Sequence, residues 1–137
     1  MKNVRVLIVD DHEIFRKGLR SLLEAHSDLL ICGEAANALE AVEKAKNLQP
    51  DVILMDISMP EVDGLQATRL IRSLVPNAQV LILSQHDLPH MVSAALKAGA
   101  SAYVTKSQVS QSLLTALESV VEGKPFNWNS IGPVTES

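Results

Sequence analysis

The sequence predicts an α/β domain built on one parallel β-sheet, and three observations carry this prediction. Five short apolar runs rich in Val, Ile and Leu alternate with five segments whose apolar residues recur at helical spacing. Four of the runs end in polar side chains, namely Asp10-Asp11, Asp56, Ser84 and Lys106. One strand-helix unit takes roughly 30 residues, and the spacing of these ends fits whole units. The four polar positions are therefore expected at the same end of one sheet.

Each element has its own sequence signal. Apolar runs predict five strands, over Val4–Val9, Leu29–Cys32, Val52–Met55, Val80–Leu83 and Ala102–Val104. Helical periodicity predicts five helices that follow them, with these apolar sets: Phe15, Leu19, Leu22 and Leu23; Leu39, Val42 and Ala45; Leu65, Leu70, Ile71 and Leu74; Met91, Val92, Ala95 and Leu96; Val109, Leu113, Leu117, Val120 and Val121.

Local residues predict where the helices begin and end. Asp11 is suited to cap a first helix that starts near Glu13. The stretch 57–64 is expected to be a loop, and Pro76 stops the third helix near Val75. Gly99 and Gly123 are suited to end the fourth and fifth helices.

Length and composition limit the class of protein. The chain has 137 residues with 47% apolar content, which suits one domain with a real core. We expect this domain over residues 1–122 and a linker or tail over residues 123–137. A net charge of −4 predicts no direct binding of nucleic acid. Cys32 is the single cysteine, and no apolar stretch is long enough to span a bilayer. These features predict a cytoplasmic protein without membrane contact.

The strand ends gather groups that suit phosphoryl chemistry. Three carboxylates, Asp10, Asp11 and Asp56, would repel one another unless a cation neutralises them, and Mg²⁺ prefers such oxygen ligands. Asp56 could attack phosphorus as a nucleophile, while Lys106 neutralises charge on the transferred oxygens and Ser84 donates to one of them. Each residue has an ordinary alternative: a helix cap, a surface lysine or a turn serine. Their joint placement favours a site.

Four motifs resemble the receiver domain of bacterial two-component response regulators. They lie in Ile8–His12, Leu54–Gly64, Leu83-Ser84 and Tyr103–Lys106, and the resemblance covers about residues 3 to 122. It implies a flavodoxin-like sheet in the order 2-1-3-4-5. It also implies that Asp56 accepts a phosphoryl group from a sensor histidine kinase or a phosphotransfer protein.

The resemblance implies roles for further residues. Asp11, Asp56 and the Ser58 backbone carbonyl would bind Mg²⁺ directly, and Asp10 would act through water. Ser58 and His86 would tune the lifetime of the phosphoryl group. Ser84 and Tyr103 would form a switch, in which Tyr103 moves inward when Ser84 moves toward the phosphoryl group. The alternative for Tyr103 is a permanently packed strand residue with its hydroxyl at the surface.

The same resemblance predicts which surface of the domain transmits the signal to a partner. The surface from Pro89 to Val121 would change on phosphorylation and dock a partner or a second protomer in a homodimer. The amino-acid sequence around the first helix, residues 11–19, is similar to that of receivers that precede a LuxR-type helix-turn-helix domain. The residues after Glu122 are too few for such a domain. The chain is therefore either cut from a transcription regulator or a stand-alone receiver that acts by protein contact.

The chain departs from the family's usual residues at two positions, and three other functions compete with that of an active receiver. Gln85 is bulkier than the family's usual residue, and Ser107 replaces a common proline and is suited to cap the last helix. A flavodoxin would not place Asp10-Asp11 in its phosphate loop. A haloacid dehalogenase-type phosphatase, the enzyme alternative, would have Asp where this chain has Ser58. A degenerate receiver that only binds partners would not need the intact acids and Lys106.

Overall fold

In the part of the chain that the computed structural model describes, residues 2–57, 61–86 and 88–124, five strands alternate with five helices. The strands are β1 (Val4–Val9), β2 (Leu29–Ala35), β3 (Val52–Asp56), β4 (Gln79–Ser84) and β5 (Ala102–Thr105). The helices are α1 (Glu13–Glu24), α2 (Ala38–Leu48), α3 (Glu61–Leu74), α4 (Pro89–Lys97) and α5 (Val109–Val121). A 3₁₀ turn, Lys106–Gln108, joins β5 to α5.

The strands form one parallel sheet in the order β2-β1-β3-β4-β5, which confirms the predicted fold. The chain runs outward from β1 to β2 and then returns past β1 to β3. The winding direction therefore reverses between β1 and β3. In open α/β sheets, ligands bind at this point, beyond the carboxyl ends of the strands. Asp10 follows β1 and Asp56 ends β3, so the two residues flank the crevice.

The core lies on both faces of the central strands. Every residue of β3 is buried, as are five of the six residues in each of β1 and β4. This explains why these strands appear in the sequence as unbroken apolar runs. The connection from β1 to β2 crosses the sheet in the opposite direction to the three later connections. Because these crossovers are right-handed, α1 lies on the opposite face of the sheet from α2, α3 and α4.

Two predicted boundaries were wrong. β2 continues past Cys32 to Ala35, because a register shift after Val6 lets its last residues pair with the end of β1. Helix α3 starts at Glu61, inside the predicted loop. Gly64 lies in this helix and packs closely against the residue after β3: a Cβ there would lie 3.1 Å from Ile57 Cγ2.

Neither of the two residues that the sequence offers as helix caps takes that position. His12, and not Asp11, is the N-cap residue of α1, and its side chain makes no capping hydrogen bond. Ser107 lies inside the 3₁₀ turn, so the residue that precedes α5 is Gln108. The Ser107 hydroxyl instead lies 3.3 Å from Thr105 Oγ1.

Four leucines that were predicted to line apolar helix faces are instead exposed. Between 51% and 72% of the surface of each is accessible, and they are Leu39, Leu70, Leu74 and Leu96. The buried faces of these helices carry smaller residues, such as Ala41, Ala45, Ala67 and Ala95. The helical period was therefore predicted correctly, but in these helices the face turned to the sheet is set largely by alanines.

The predicted stop signals agree with the structure. Helix α3 ends two residues before Pro76. Gly99 and Gly123 follow α4 and α5 with φ values of +104° and +72°, in the region that favours glycine. Among the helices of the described residues, none combines the length and apolar character of a membrane span. Most of the predicted tail, residues 125–137, lies outside the described residues.

Candidate functional site

Three carboxylates meet at the crevice between β1 and β3, as predicted. Asp10 and Asp56 are completely buried, whereas the Asp11 side chain is 41% exposed. The end of β1 is fixed beside β2, since Asp10 N–H donates a 3.0 Å hydrogen bond to the Ala35 carbonyl. The end of β3 is fixed beside β4 by a 3.0 Å hydrogen bond from Ile57 N–H to the Leu83 carbonyl. The sheet thus holds the buried carboxylates in place.

Lys106 supplies the positive charge that faces these acids. Its Nζ lies 3.1 Å from Asp10 Oδ2 and 3.3 Å from Asp56 Oδ2. The side chain is only 11% exposed. The ammonium also lies 4.3 Å from the centre of the Phe15 ring, at a distance typical of a cation–π interaction. Lys106 is therefore a partly buried counter-ion between β1 and β3, and the surface-lysine alternative is wrong.

His12 is a site residue that the sequence analysis did not single out. Its Nδ1 lies 3.2 Å from Asp10 Oδ1, 3.1 Å from Asp11 Oδ1 and 3.8 Å from Asp56 Oδ2. Its backbone N–H donates a 2.7 Å hydrogen bond to Asp10 Oδ1. The available signal was its position directly after the acid pair, because a residue there lies between the end of β1 and the start of α1.

The donor set fits a divalent cation. One ligand atom from each of Asp10, Asp11, His12 and Asp56 lies within 4.8 Å of all the others. Carboxylate oxygens are the ligands that Mg²⁺ prefers. Three carboxylates and one ammonium also leave two negative charges, which a divalent cation would neutralise. The other predicted ligand, the Ser58 backbone carbonyl, lies outside the described residues.

The predicted switch residues lie on the adjacent strands. Ser84 ends β4 and is buried, and its Oγ accepts a 3.1 Å hydrogen bond from the His86 amide. Tyr103 in β5 is completely buried, and its hydroxyl donates a 2.5 Å hydrogen bond to the His86 carbonyl. The hydroxyl is therefore not at the surface. Gln85 and His86 follow β4, and both are exposed.

An ion-pair network supports the crevice from the side of α1. Arg16 Nη1 donates a 2.5 Å hydrogen bond to the Asp10 carbonyl, and its Nε donates one of 2.8 Å to Glu34. Arg20 Nε donates a further 2.6 Å hydrogen bond to Glu34. Partial burial alone would raise the pKa of Glu34, but the bonds from Arg20 and Arg16 outweigh it and lower this pKa below its usual value. The network fixes α1 against β2.

Sequence comparison identifies the family. The model of the response regulator receiver domain matches residues 6–118. The transcriptional regulatory protein LnrK of Bacillus subtilis is 39% identical over 120 residues, which are 88% of this chain and 54% of that protein. The transcriptional regulatory protein DegU of Brevibacillus brevis is 38% identical over 90% of this chain and 52% of its own length. The chain thus spans about half the length of both relatives.

Solved structures agree with this result. A LuxR-family response regulator from Aurantimonas superposes with a TM-score of 0.87 at 37% identity, over 93% of this chain and 91% of that chain. The receiver domain of a NarL regulator from Mycobacterium tuberculosis gives 0.84 at 34% identity, over 90% of this chain and all of that one. The chain therefore belongs to the response regulator receiver domain family and is a receiver of the LuxR and NarL type.

Proposed function

We propose that this receiver accepts one phosphoryl group on Asp56, from a histidine kinase or a phosphotransfer protein, in a reaction that needs Mg²⁺. One observation carries the proposal: the buried Asp56 carboxylate lies 3.3 Å from the Lys106 ammonium, within a cluster of groups that fits a divalent cation. A carboxylate that can act as a nucleophile is thus held beside an ammonium, at the edge of the sheet where ligands bind.

Each residue of the site has a separate role in the phosphoryl transfer. An Asp56 oxygen attacks phosphorus while the bond to the donor's histidine nitrogen breaks, and that nitrogen keeps the electron pair. Lys106 faces the charge that develops on the phosphoryl oxygens, and the Ser84 hydroxyl turns to donate to one of them. Asp10, Asp11, Asp56 and the Ser58 carbonyl would hold Mg²⁺. When bound, the ion neutralises the carboxylates and polarises the phosphoryl oxygens.

The chain is not an enzyme in the usual sense, because the group it transfers ends on its own side chain. We infer that it catalyses its own phosphorylation and its own dephosphorylation with these same residues. Ser58 and His86 would set how easily water reaches the phosphoryl group. His86 is exposed, and its amide donates a 3.1 Å hydrogen bond to Ser84 Oγ, which supports a position close to the Ser84 hydroxyl.

We infer a transcriptional output in the cytoplasm. Two relatives that the match covers over only about half of their length are transcriptional regulatory proteins, which favours a protein whose DNA-binding part lies outside this chain. The surface formed by α4, β5 and α5 would change on phosphorylation and dock a partner or a second copy. This receiver itself would bind neither nucleic acid nor membrane. The stand-alone receiver remains the second candidate, and a full reading frame that ends near Ser137 would favour it.

The phosphatase alternative is weaker. A haloacid dehalogenase-type enzyme would need a carboxylate two positions after the nucleophile, and this chain has Ser58 there. Release of phosphate from a generic phosphate ester over many turnovers would favour the phosphatase over the receiver.

Labelling by acetyl phosphate tests the proposal. Intact-mass spectrometry should find one phosphoryl group on the parent with Mg²⁺ and none when a chelator removes the metal. The Asp56→Asn variant should take up none, while Asp28→Asn, which changes an exposed carboxylate far from the crevice, should be labelled like the parent. Equal labelling of Asp56→Asn and the parent would refute the assignment of Asp56.

A further inference from the structure

Phe15 places an aromatic ring against the ammonium of Lys106. The centre of the ring lies 4.3 Å from Lys106 Nζ. Phe15 is in the first turn of α1, and its half-buried side chain packs against the core. Because Lys106 is only 11% exposed, water screens the attraction between the ammonium and the negative face of the ring only weakly.

The Lys106 side chain needs a support of this kind. Lys106 follows β5, whereas its partners Asp10 and Asp56 lie at the ends of β1 and β3. Since β4 lies between β5 and β3, the ammonium has to cross the end of β4 on a flexible stem of four carbons. The direction of the side chain therefore depends on what holds its charged end.

Attraction by the acids alone does not hold the ammonium throughout the reaction. Its Nζ lies 3.1 Å from Asp10 Oδ2 and 3.3 Å from Asp56 Oδ2. Once a divalent cation neutralises these carboxylates, their attraction for the ammonium weakens. The Phe15 ring has no net charge to be neutralised, so its attraction for the ammonium persists when the phosphoryl group arrives.

We propose that Phe15 is a positioning residue for phosphoryl transfer, whose ring holds the Lys106 ammonium at Asp56 through a cation–π interaction. This inference rests on the proposed function, because Lys106 faces the charge that develops on the transferred oxygens. An ammonium that is already in place stabilises that charge without reorganisation. The competing role of Phe15 is apolar packing of α1 on the core, which needs size and hydrophobicity but no ring.

Rates of labelling by acetyl phosphate at saturating Mg²⁺ separate the two roles. Phe15→Leu stays apolar but loses the ring, so its rate should fall about three- to tenfold, which is what a cation–π interaction is worth. Phe15→Tyr keeps the ring and should stay within about twofold of the parent. Leu22→Ala removes a half-buried side chain about two turns further along α1, and should lose stability but label like the parent.

The electronic character of the ring gives a sharper comparison. Phenylalanines that carry one, two or three ring fluorines, inserted at position 15, keep nearly the same size but have a weaker negative face. If the ring attracts the ammonium, the labelling rate should fall stepwise along this series. A constant rate would show that the ring only packs, and would overturn the inference.

Nuclear magnetic resonance gives a signature that does not depend on activity. Protons over the face of an aromatic ring are shifted upfield, so the Lys106 Cε protons should lie upfield of those of the exposed Lys17, with and without Mg²⁺. Phe15→Leu should lose this shift. An unshifted Lys106 in the parent, or a Phe15→Leu rate equal to that of the parent, would overturn the inference. Mg²⁺-dependent labelling of Asp56 would then leave the proposed function intact, whereas a parent that takes up no label would reject both.

Discussion

The Tyr103 hydroxyl and the Ser84 hydroxyl are joined through one residue, His86. Tyr103 donates a 2.5 Å hydrogen bond to the His86 carbonyl, and the His86 amide donates one of 3.1 Å to Ser84 Oγ. Movement of Ser84 toward Asp56 would therefore displace the segment that holds Tyr103. The two predicted switch residues have a physical route by which one can affect the other.

Removal of the Tyr103 hydroxyl should destabilise this loop. Tyr103→Phe keeps the buried ring but loses the bond to His86, and a hydrogen bond of this kind contributes about 1 kcal/mol to the free energy of unfolding. Urea denaturation should show that loss, and hydrogen exchange should rise around residues 86–90 but not in β1. An unchanged midpoint and unchanged exchange would show that the bond has no energetic role.

Beryllofluoride, which mimics a phosphoryl group, should change hydrogen exchange over residues 89–121. The expected cause is a shift between two states separated by a few kcal/mol. The new acceptor atoms at Asp56 contact Ser84 and Lys106 and thereby stabilise one of the two states. In Tyr103→Ala the change should remain near Asp10 and Asp56 and disappear from α4, β5 and α5. Parent protein that responds only in the loops around the acids would contradict the switch.

Asp56→Asn should raise the melting temperature of the metal-free protein. Asp10 and Asp56 share one ammonium, so loss of one buried carboxylate relieves repulsion and leaves Asp10 paired with Lys106. Mg²⁺ should then stabilise the parent more than the variant, because the variant has lost a ligand. Calorimetric scans with and without Mg²⁺ measure both effects, and Asp28→Asn serves as the control. Identical Mg²⁺ shifts in all three proteins would argue against a shared metal site.

Two glycines should respond to alanine in opposite directions. Gly18 lies within α1 with open space around it, so Gly18→Ala should raise the free energy of unfolding by about 0.5–1 kcal/mol. Gly99 has φ of +104°, and a Cβ there would lie 2.9 Å from Arg72 Cγ. Gly99→Ala should therefore lower the free energy by roughly 1–3 kcal/mol. Denaturant unfolding compares the pair, and a destabilised Gly18→Ala would contradict this description of α1.

The sheet and the acid cluster were predictable because each depends on one strong local signal. Buried parallel strands require unbroken apolar runs, and parallel topology brings their carboxyl ends to one edge. Asp10, Asp56 and Lys106 could therefore be placed together from their positions alone. The family resemblance added the strand order and the role of Asp56.

The errors concern features that depend on tertiary contacts. Helix α3 begins at Glu61, inside the stretch predicted as a loop, and its Gly64 packs closely against Ile57. Leu39 and Leu70 fit a helical period, but alanines on the same helices face the sheet. The place of the His12 ring depends on its backbone bond to Asp10, which no periodicity encodes.

The pH dependence of stability should report on Glu34. Partial burial opposes ionisation of Glu34, but hydrogen bonds from Arg20 and Arg16 outweigh it, so its folded-state pKa lies below the ordinary value of 4.5. A carboxyl group with a lowered pKa stabilises the fold fully above its unfolded-state pKa, and that contribution is lost as the pH falls through the folded-state pKa. Part of the parent's stability should therefore disappear as the pH falls below about 4.5.

Glu34→Gln tests this prediction against a matched control. At neutral pH the variant should lose up to about 1 kcal/mol, the upper range for a partly exposed ion-pair network, and its stability should fall less steeply below about pH 4.5. Glu24→Gln removes an exposed partner of the same Arg20 and should lose only about 0.3–0.5 kcal/mol. Urea unfolding across the acid range measures both variants. If Glu34→Gln loses as much stability on acidification as the parent, the lowered pKa of Glu34 makes no contribution, and α1 is held against β2 by apolar contacts alone.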